Sequence, residues 1–463
     1  MEINVIDSVT SKINLKSISK YDFKKLCKCV EYKKVFWKKT PYKMEKTDTI
    51  GCAIDKRNGE FLTGLLSRIL EQCKKLKIIP KVNYGCSHLK EWPEQNNYPV
   101  LKEITFKDYQ NDLIWEMTKE SRGIIKGATG IGKTIIALGF ASQFPKANIL
   151  FLCHTTQILN QTYKEMEKFG FNPFKIGGGS KVKDNGGVLP RVVISTIQSF
   201  SKLHYSLYAE HFDIIIVDEA HHCQNKTSQY FKVLASCLAD IKIGLTATLP
   251  TQTEKLLTIE GLFGPVIGDL GIVEAQKQKI LSDVKIKLLN VPYNAKIGDY
   301  RTYKDLYKNG VIFNRKRNGL ICDEVKEALA NSLITLIMVK EIKHGELIKD
   351  RLRKKKIQSH FLKSATNKKL INEVKEGMKQ RKVNVVIATD IWREGVDIPS
   401  IDCVINACGF KSEIMTLQFV GRGLRKVKGK EYCLIIDFLD PYKHLAEHSI
   451  QRLQIYNKNG WLR

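Results

Sequence analysis

The stretch GATGIGKT places Gly127, Ala128, Thr129, Gly130, Ile131, Gly132, Lys133 and Thr134 in the pattern G-x-x-x-x-G-K-[ST], the spacing of a phosphate-gripping P-loop. Backbone N–H groups of Gly130–Lys133 would wrap phosphates at a helix N-terminus, where the dipole favours anions. Lys133 would neutralise β- and γ-oxygens, and the Thr134 hydroxyl would ligate Mg²⁺. Further on, IIIVDEAHH runs an apolar strand into adjacent carboxylates. Asp218 is suited to hold the Mg²⁺, and Glu219 to orient and deprotonate an attacking water. His221 is placed to couple these acids to the TAT of Thr246–Thr248, whereas His222 reads as a solvated neighbour. The stretch QFVGRGLRK sets Arg422 and Arg425 three residues apart with no acid beside them. On a helix the two guanidinium groups would share one face and reach one anion.

These groups need a frame that brings them together. RGIIKGA, NILFLCH, RVVISTI, FDIIIVDEA and IKIGLTAT are β-branched, nearly continuous apolar runs separated by helix-like stretches such as TTQILNQTYKEMEKFG. Such runs are strands buried on both faces of a parallel sheet. After a basic connector at Gly271–Val284 the pattern restarts with SLITLIMVK, VNVVIATD, IDCVINA and EYCLIIDF. Two tandem α/β domains follow. The lysine-rich start lacks this alternation and reads as a small α+β domain, with CSHLKEWPEQNNYPVLKE as its linker. The expected domains are 1–95, 96–275, 276–445 and a C-terminal tail, 446–463.

The chain of 463 residues carries a net charge of +28, which points to a polyanionic partner, with nucleic acid first. Its apolar fraction of 43% is that of a globular protein. No apolar run is long enough to span a membrane, and the N-terminus lacks a signal-peptide core. A cytoplasmic protein with no membrane partner is expected. The twelve cysteines are scattered without a C-x-x-C pair, so reduced, mostly buried thiols and no structural zinc are expected. RTYKDLYKNGVIFNRKRN, Arg301–Asn318, mixes cations with aromatics and reads as a nucleic-acid surface.

The P-loop, DEAH, TAT and QFVGRGLR, in this order, resemble a superfamily 2 helicase or translocase. The resemblance runs from about Phe106 to Asp437 and takes in FKDYQ, similar to the family's Q motif. CHTTQILNQ and ISTIQ are similar to its motifs Ia and Ib, and ATDIWREGVDIP to motif V. The resemblance implies two RecA-like domains with ATP and Mg²⁺ in the cleft between them. It implies that Gln110 reads adenine and that Asp397 contacts the ribose or positions the arginines. Gln418 would contact the γ-phosphate or the water, although a helix-capping role fits it equally. Arg422 and Arg425 would be arginine fingers supplied in cis, engaging only when the cleft closes. Thr155, Thr156 and Thr196, with Lys340 and Thr389, would hold phosphates of one DNA strand. Each of those hydroxyls could equally cap a helix.

From Ser11 to Thr40 there are ten lysines against only Asp22 and Glu31, interleaved with aromatics. This end resembles the small N-terminal domain of phage UvsW-type helicases, which are related to XPB and, more distantly, RecG. Lys33, Lys34, Trp37 and Lys38 become candidate DNA contacts, although Phe36 and Trp37 could equally be core. The family implies a monomer that remodels branched or forked DNA in replication, recombination or repair, in host cytoplasm if phage-encoded. Three other readings compete, and the intact Lys133, Asp218, Glu219, Arg422 and Arg425 argue against one of them, a non-catalytic DNA-binding scaffold. An RNA helicase would carry C-terminal domains for which no room is expected after Asp437. A restriction-nuclease motor would need a PD…(D/E)-x-K set, which the N-terminal part does not offer.

Overall fold

The computed structural model describes residues 1–39, 44–85, 101, 104–179, 189–363, 365–389, 401–427 and 429–462, without the side chains of 36–39, 44–46, 368 and 414. Most of the expected linker, and Asp397, lie outside the described residues. Contacts divide the chain into two compact units: Met1–Gly127 with Gly132–Asp269, and Ala128–Ile131 with Leu270–Arg463.

The first unit begins with β1 (Glu2–Val5), β2 (Thr10–Ile13), β3 (Glu31–Lys39), β4 (Met44–Cys52), β5 (Glu60–Leu62) and β6 (Lys81–Tyr84). Four of these form a sheet in the order β5-β2-β1-β6. Helices Lys20–Cys27 and Leu66–Lys75 supply Leu26, Cys27, Ile69 and Cys73 to a core shared with Ile3, Ile13 and Phe61. The remaining two strands pair only with each other among the described residues. They form an antiparallel ribbon from Glu31↔Cys52 to Lys39↔Met44. Lys33 and Lys34 are exposed on it, as are the apolar Val35 and Ile50.

A parallel sheet follows, from β7 (Arg122–Gly127), β8 (Ile149–Cys153), β9 (Phe174–Ile176), β10 (Val192–Thr196), β11 (Ile214–Asp218), β12 (Ile241–Thr246) and β13 (Val266–Leu270). Among the described residues its order is β13-β7-β12-β11-β8-β10-β9. Every residue of β8, β10, β11 and β12 is buried, as their continuous apolar runs require. The N-terminal segment is fastened to this sheet's helix Thr253–Phe263. A Cβ on Gly64 would lie 2.2 Å from the Glu260 carbonyl oxygen, so only glycine allows that approach. Beside it Arg68 donates two hydrogen bonds to the Glu260 carboxylate, at 2.8 and 2.7 Å, the bidentate geometry that holds an orientation.

The second unit contains β14 (Asp283–Asn290), β15 (Thr335–Met338), β16 (His360–Leu362), β17 (Val385–Ala388), β18 (Cys403–Asn406) and β19 (Tyr432–Leu439). They pair in parallel in the order β14-β19-β18-β15-β17-β16. The segment 446–463 is largely helix, part of Lys443–Lys458, with Arg452 and Tyr456 buried. The cysteines described are free thiols, most of them buried. No helix among the described residues is long and apolar enough to cross a membrane.

The basic, aromatic stretch Arg301–Asn318 differs from the surface expected of it. Tyr307, Val311, Ile312, Arg317 and Asn318 are buried. Arg317 pairs with Asp440 at 2.9 Å and donates to the Ala407 carbonyl at 3.0 Å, while Tyr307 donates to the Cys408 carbonyl. A second buried pair, Arg452–Asp437 at 2.7 Å, is joined by the Tyr456 hydroxyl. Helical spacing explains the split: Arg317 falls on the inner face of Arg315–Ala330, while Arg315 and Lys316 remain exposed. Arg317→Ala should strand Asp440 without its partner and lower stability by about 3–5 kcal/mol. Lys316→Ala should change it by less than about 0.5 kcal/mol. Denaturant unfolding of the two variants side by side checks this, and equal small effects would dismiss the buried pair as a structural determinant.

Candidate functional site

The loop between β7 and helix Lys133–Ser142 bends through Gly130 and Gly132, at φ of 99° and 85°, a region other residues enter only with strain. The helix buries Ile136, Ala137, Leu138, Phe140 and Ala141, which fixes the direction of its N-terminus. No acidic residue occupies its first turn, so the helix start favours an anion. Lys133 folds back to donate to the Gly127 carbonyl at 3.0 Å. Gln110, 7% exposed, accepts from the Lys107 N–H at 3.0 Å. Its Nε2 lies 3.0 Å from where a Cβ on Gly132 would sit. The Q-motif glutamine and the loop are therefore in contact.

Two strands away in the same sheet, β11 ends on Asp218, buried at the strand's C-terminal edge. Glu219 then adopts a left-handed conformation, φ 53° and ψ 51°, which costs a non-glycine residue about 1–2 kcal/mol. Its N–H donates to Asp218 Oδ1 at 2.9 Å. Its carboxylate lies 3.3 Å from His221 Nδ1. That ring nitrogen also lies 3.1 Å from Thr246 Oγ1, which donates to the Thr248 carbonyl at 2.8 Å. The expected link from His221 to the TAT is thus made by a hydrogen bond. Burial pushes the Glu219 carboxyl up, but the His221 hydrogen bond and the charges of Lys133, His221 and His222 more than offset it. The group is held well below the usual carboxylate range, at about 2. The Lys133 charge is felt at Glu219, so loop and carboxylate face one site. A phosphate chain and a divalent cation fit this donor set: amides, an ammonium and a hydroxyl on one side, and two acids on the other.

His222 is not the solvated neighbour that the sequence suggested. It is half-buried, and its ring stacks on that of His154 with centroids 3.6 Å apart and planes 9° from parallel. The parallel neighbours β8 and β11 end together, which brings the two histidines into contact. His154 escaped notice in the sequence, although its place directly before the Thr155–Thr156 pair was a usable signal.

In the second unit, Ser412 caps helix Glu413–Gly421, which rules out a capping role for Gln418; that residue is buried mid-helix. The helix stops at Arg422, flanked by Gly421 and Gly423, and a Cβ on Gly423 would collide with Cys433 Sγ. Arg425 has already left the helix and bridges Leu281. The two arginines therefore do not share one helix face, because the flanking glycines unwind it. Within the same unit, a Cβ on Gly130 would lie 3.2 Å from Arg425 Cγ, and one on Gly421 would lie 2.9 Å from Thr129 Cβ.

Among the residues matched to strand-binding motifs, Thr155 caps helix Thr156–Lys168, its hydroxyl accepting from the Ile158 N–H at 3.3 Å. Thr156 is exposed in the first helical position. Thr196, almost fully buried, caps Ile197–Phe200. Thr389 is buried just past β17, while Lys340 is exposed with its ammonium 5.1 Å from the Tyr307 ring centroid. The side chains of Trp37 and Lys38 lie outside the described residues.

Residues 102–251 match the family described as type III restriction enzyme, res subunit, and residues 318–427 match the helicase conserved C-terminal domain. The chain is 28% identical over 353 residues to the probable helicase D10 of Escherichia phage T5, covering 73% of this chain and 72% of that protein. It is 23% identical over 430 residues to the ATP-dependent DNA helicase uvsW of Enterobacteria phage T4, covering 85% of each. Among solved structures, the DNA-bound ATP-dependent type ISP restriction-modification enzyme LlaBIII aligns with a TM-score of 0.57 at 20% identity. That likeness spans 76% of this chain and 30% of the other, and is one of fold.

Two substitutions probe the site. Glu219→Gln should still bind nucleotide and lose at least ~10²-fold in turnover, because the base is removed while the phosphate cradle stays. Turnover within a few-fold of the parent would remove Glu219 from that role. Arg425→Ala should lower kcat by ~10²–10³ with a much smaller change in nucleotide Kd, since such contacts strengthen in the transition state. A Kd that rises in step with the fall in kcat would make Arg425 a ground-state binder instead.

Proposed function

The chain belongs to the superfamily 2 helicases, and we propose that it is an ATP-dependent DNA motor that remodels branched DNA. The observation that carries this reading is the linked set in the first unit: P-loop, Asp218, Glu219, His221 and Thr246 in one hydrogen-bonded and charge-coupled site. Bound MgATP supplies the phosphoryl group to be cleaved and a cation that neutralises its charge. Amides of the loop and Lys133 hold the phosphates, replacing the Lys133 contact with Gly127. Thr134 and Asp218 hold the metal, and Gln110 holds the base. Glu219 orients and deprotonates the attacking water. Arg422 and Arg425 offset charge on the γ-phosphate, with Gln418 contacting that phosphate or the water and Asp397 assigned to the ribose or to positioning the arginines. The contact of Arg425 with Gly130 supports that role.

The net charge of +28 supports a polyanionic track, and the uvsW relative, described as a DNA helicase, supports DNA over RNA. Thr155, Thr156, Thr196, Lys340 and Thr389 are its phosphate contacts, through helix-start amides as much as through hydroxyls already engaged as caps. The ribbon of β3 and β4 is the recognition element. Strands of nine residues extend about 30 Å, and a two-stranded ribbon fits a DNA major groove. Lys33 and Lys34, with Trp37 and Lys38 further along, supply cations and a ring for stacking. A monomer suffices, because both halves of the site lie on one chain.

A second reading, the motor of a restriction system, is favoured by the family matched at residues 102–251. ATPase rates with single-stranded DNA, duplex, fork, Holliday junction and RNA separate these readings. Greatest stimulation by fork or junction, with branch migration, is expected. Stimulation by duplex alone without branch migration selects the restriction motor, and RNA as the best activator overturns the DNA assignment. Changing Lys33, Lys34, Lys38 and Lys39 to Gln should reduce the salt dependence of DNA binding by roughly 2–4 units of log–log slope and slow branch migration. Parental slope and rate together would sink the ribbon as a recognition element.

A further inference from the structure

The contact between His154 and His222 joins two parts of the molecule with different tasks. His222 belongs to the turn Ala220–Gln224 that begins directly after Glu219. It lies 4.3 Å, centroid to centroid, from His221, which holds the Glu219 carboxylate. His154 directly follows β8 and precedes Thr155, the cap of helix Thr156–Lys168. The stack is close: at 3.6 Å the rings are in van der Waals contact over their faces. Tyr230 flanks both rings, at 6.2 and 6.3 Å. Beneath them, Leu152 and Val217 are ladder partners, and the Cys153 thiol is pushed up by burial and by the Asp218 charge. The ends of the two strands are thus held side by side with little slack.

Glu219 sits in a left-handed conformation that a non-glycine residue keeps only when its surroundings enforce it. His221, 3.3 Å from the Glu219 carboxylate, is part of those surroundings. A displacement of Thr155–Thr156 moves His154 directly, since they are consecutive; the stack passes that displacement to His222, and the turn passes it to His221 and Glu219. We propose that the His154–His222 stack sets the position of Glu219 according to whether phosphate of a nucleic-acid strand occupies the start of helix Thr156–Lys168, so that strand binding stimulates hydrolysis. This rests on the assignment of Thr155 and Thr156 as strand contacts. The two histidines are positioning residues: neither touches the nucleotide's reacting atoms.

Four variants of the full chain test the link: His154→Ala, His222→Ala, His154→Phe and His222→Phe. Each is assayed for basal ATPase, ATPase at saturating single-stranded DNA, the DNA concentration at half-stimulation, and melting temperature. The alanine variants should keep basal turnover within about 2-fold and half-stimulation within about 3-fold of the parent. Their fold-stimulation should fall at least ~10-fold, because only the link between the sites is cut. The phenylalanine variants retain a flat ring in the stack and should recover most of the stimulation. Parental stimulation in both alanine variants overturns the proposal. So does a basal rate that falls in proportion to the stimulated one, since that is the signature of packing alone. Phenylalanine variants no better than alanine also overturn it, because the stacked contact would then not be the agent. A parent chain that no nucleic acid stimulates would instead refute the functional reading beneath the proposal, an outcome visible before any variant is made.

Discussion

The parallel register of four adjacent strands governs the chemistry of the first unit. β7, β12, β11 and β8 are paired residue for residue, Gly123 with Ile243, Ile243 with Ile216, and Ile216 with Phe151. Parallel strands in register end at one edge. The P-loop after β7, the TAT after β12, the acids after β11 and His154 after β8 are consequently neighbours. They are far apart in sequence and share no motif. A shift of one residue in any of these strands would turn each buried apolar side chain to the other face. The close packing of the particular Ile, Leu and Val side chains on both faces resists such a shift, and with it fixes the placing of Glu219.

The strands and the phosphate loop were legible because each carries a local signal. β-branched runs of five or six residues, a glycine at each bend, and carboxylates at a strand end all report on themselves. The contacts between segments were not legible. His222 looked solvated because nothing in DEAHH reveals that β8 ends beside it with another histidine. The arginine pair looked like one helical face because i, i+3 spacing was given more weight than Gly421 and Gly423, where the helix ends at Arg422. The ribbon was likewise hidden: EYKKVFWKK and MEKTDTIGC alternate weakly, since only its base, at Tyr32 and Cys52, packs against a core while Lys33, Lys34, Val35 and Ile50 are exposed.

The stretch Arg301–Asn318 shows why composition misleads where burial is helical. Cations interleaved with aromatics look like a nucleic-acid surface, yet Arg317 is fully enclosed and its guanidinium also sits 4.6 Å from the Phe438 ring centroid. With Arg452 it makes two buried ion pairs around the end of β19, to Asp440 and Asp437. Pairs of this kind are a poor source of net stability, because desolvation opposes the attraction. They do penalise any packing that leaves a charge unpaired. In this unit they fix helices Arg315–Ala330 and Lys443–Lys458 to one end of the sheet.

The mounting of the ribbon follows from packing inside the first unit. Helix Thr253–Phe263 packs against β3 on one side and against the turn Ala220–Gln224 on another. Two contacts near the end of this helix are close: a Cβ on Gly64 would lie 2.2 Å from the Glu260 carbonyl oxygen, and one on Gly244 would lie 3.0 Å from Ala220 Cβ and 3.1 Å from Phe263. Close-packed contacts transmit displacement instead of absorbing it. The Arg68–Glu260 pair adds a planar, two-bond constraint on rotation at the same place. The base of the ribbon, the helix and the turn that carries His221 therefore form one packed body. The base of the ribbon is placed relative to Glu219 by that body.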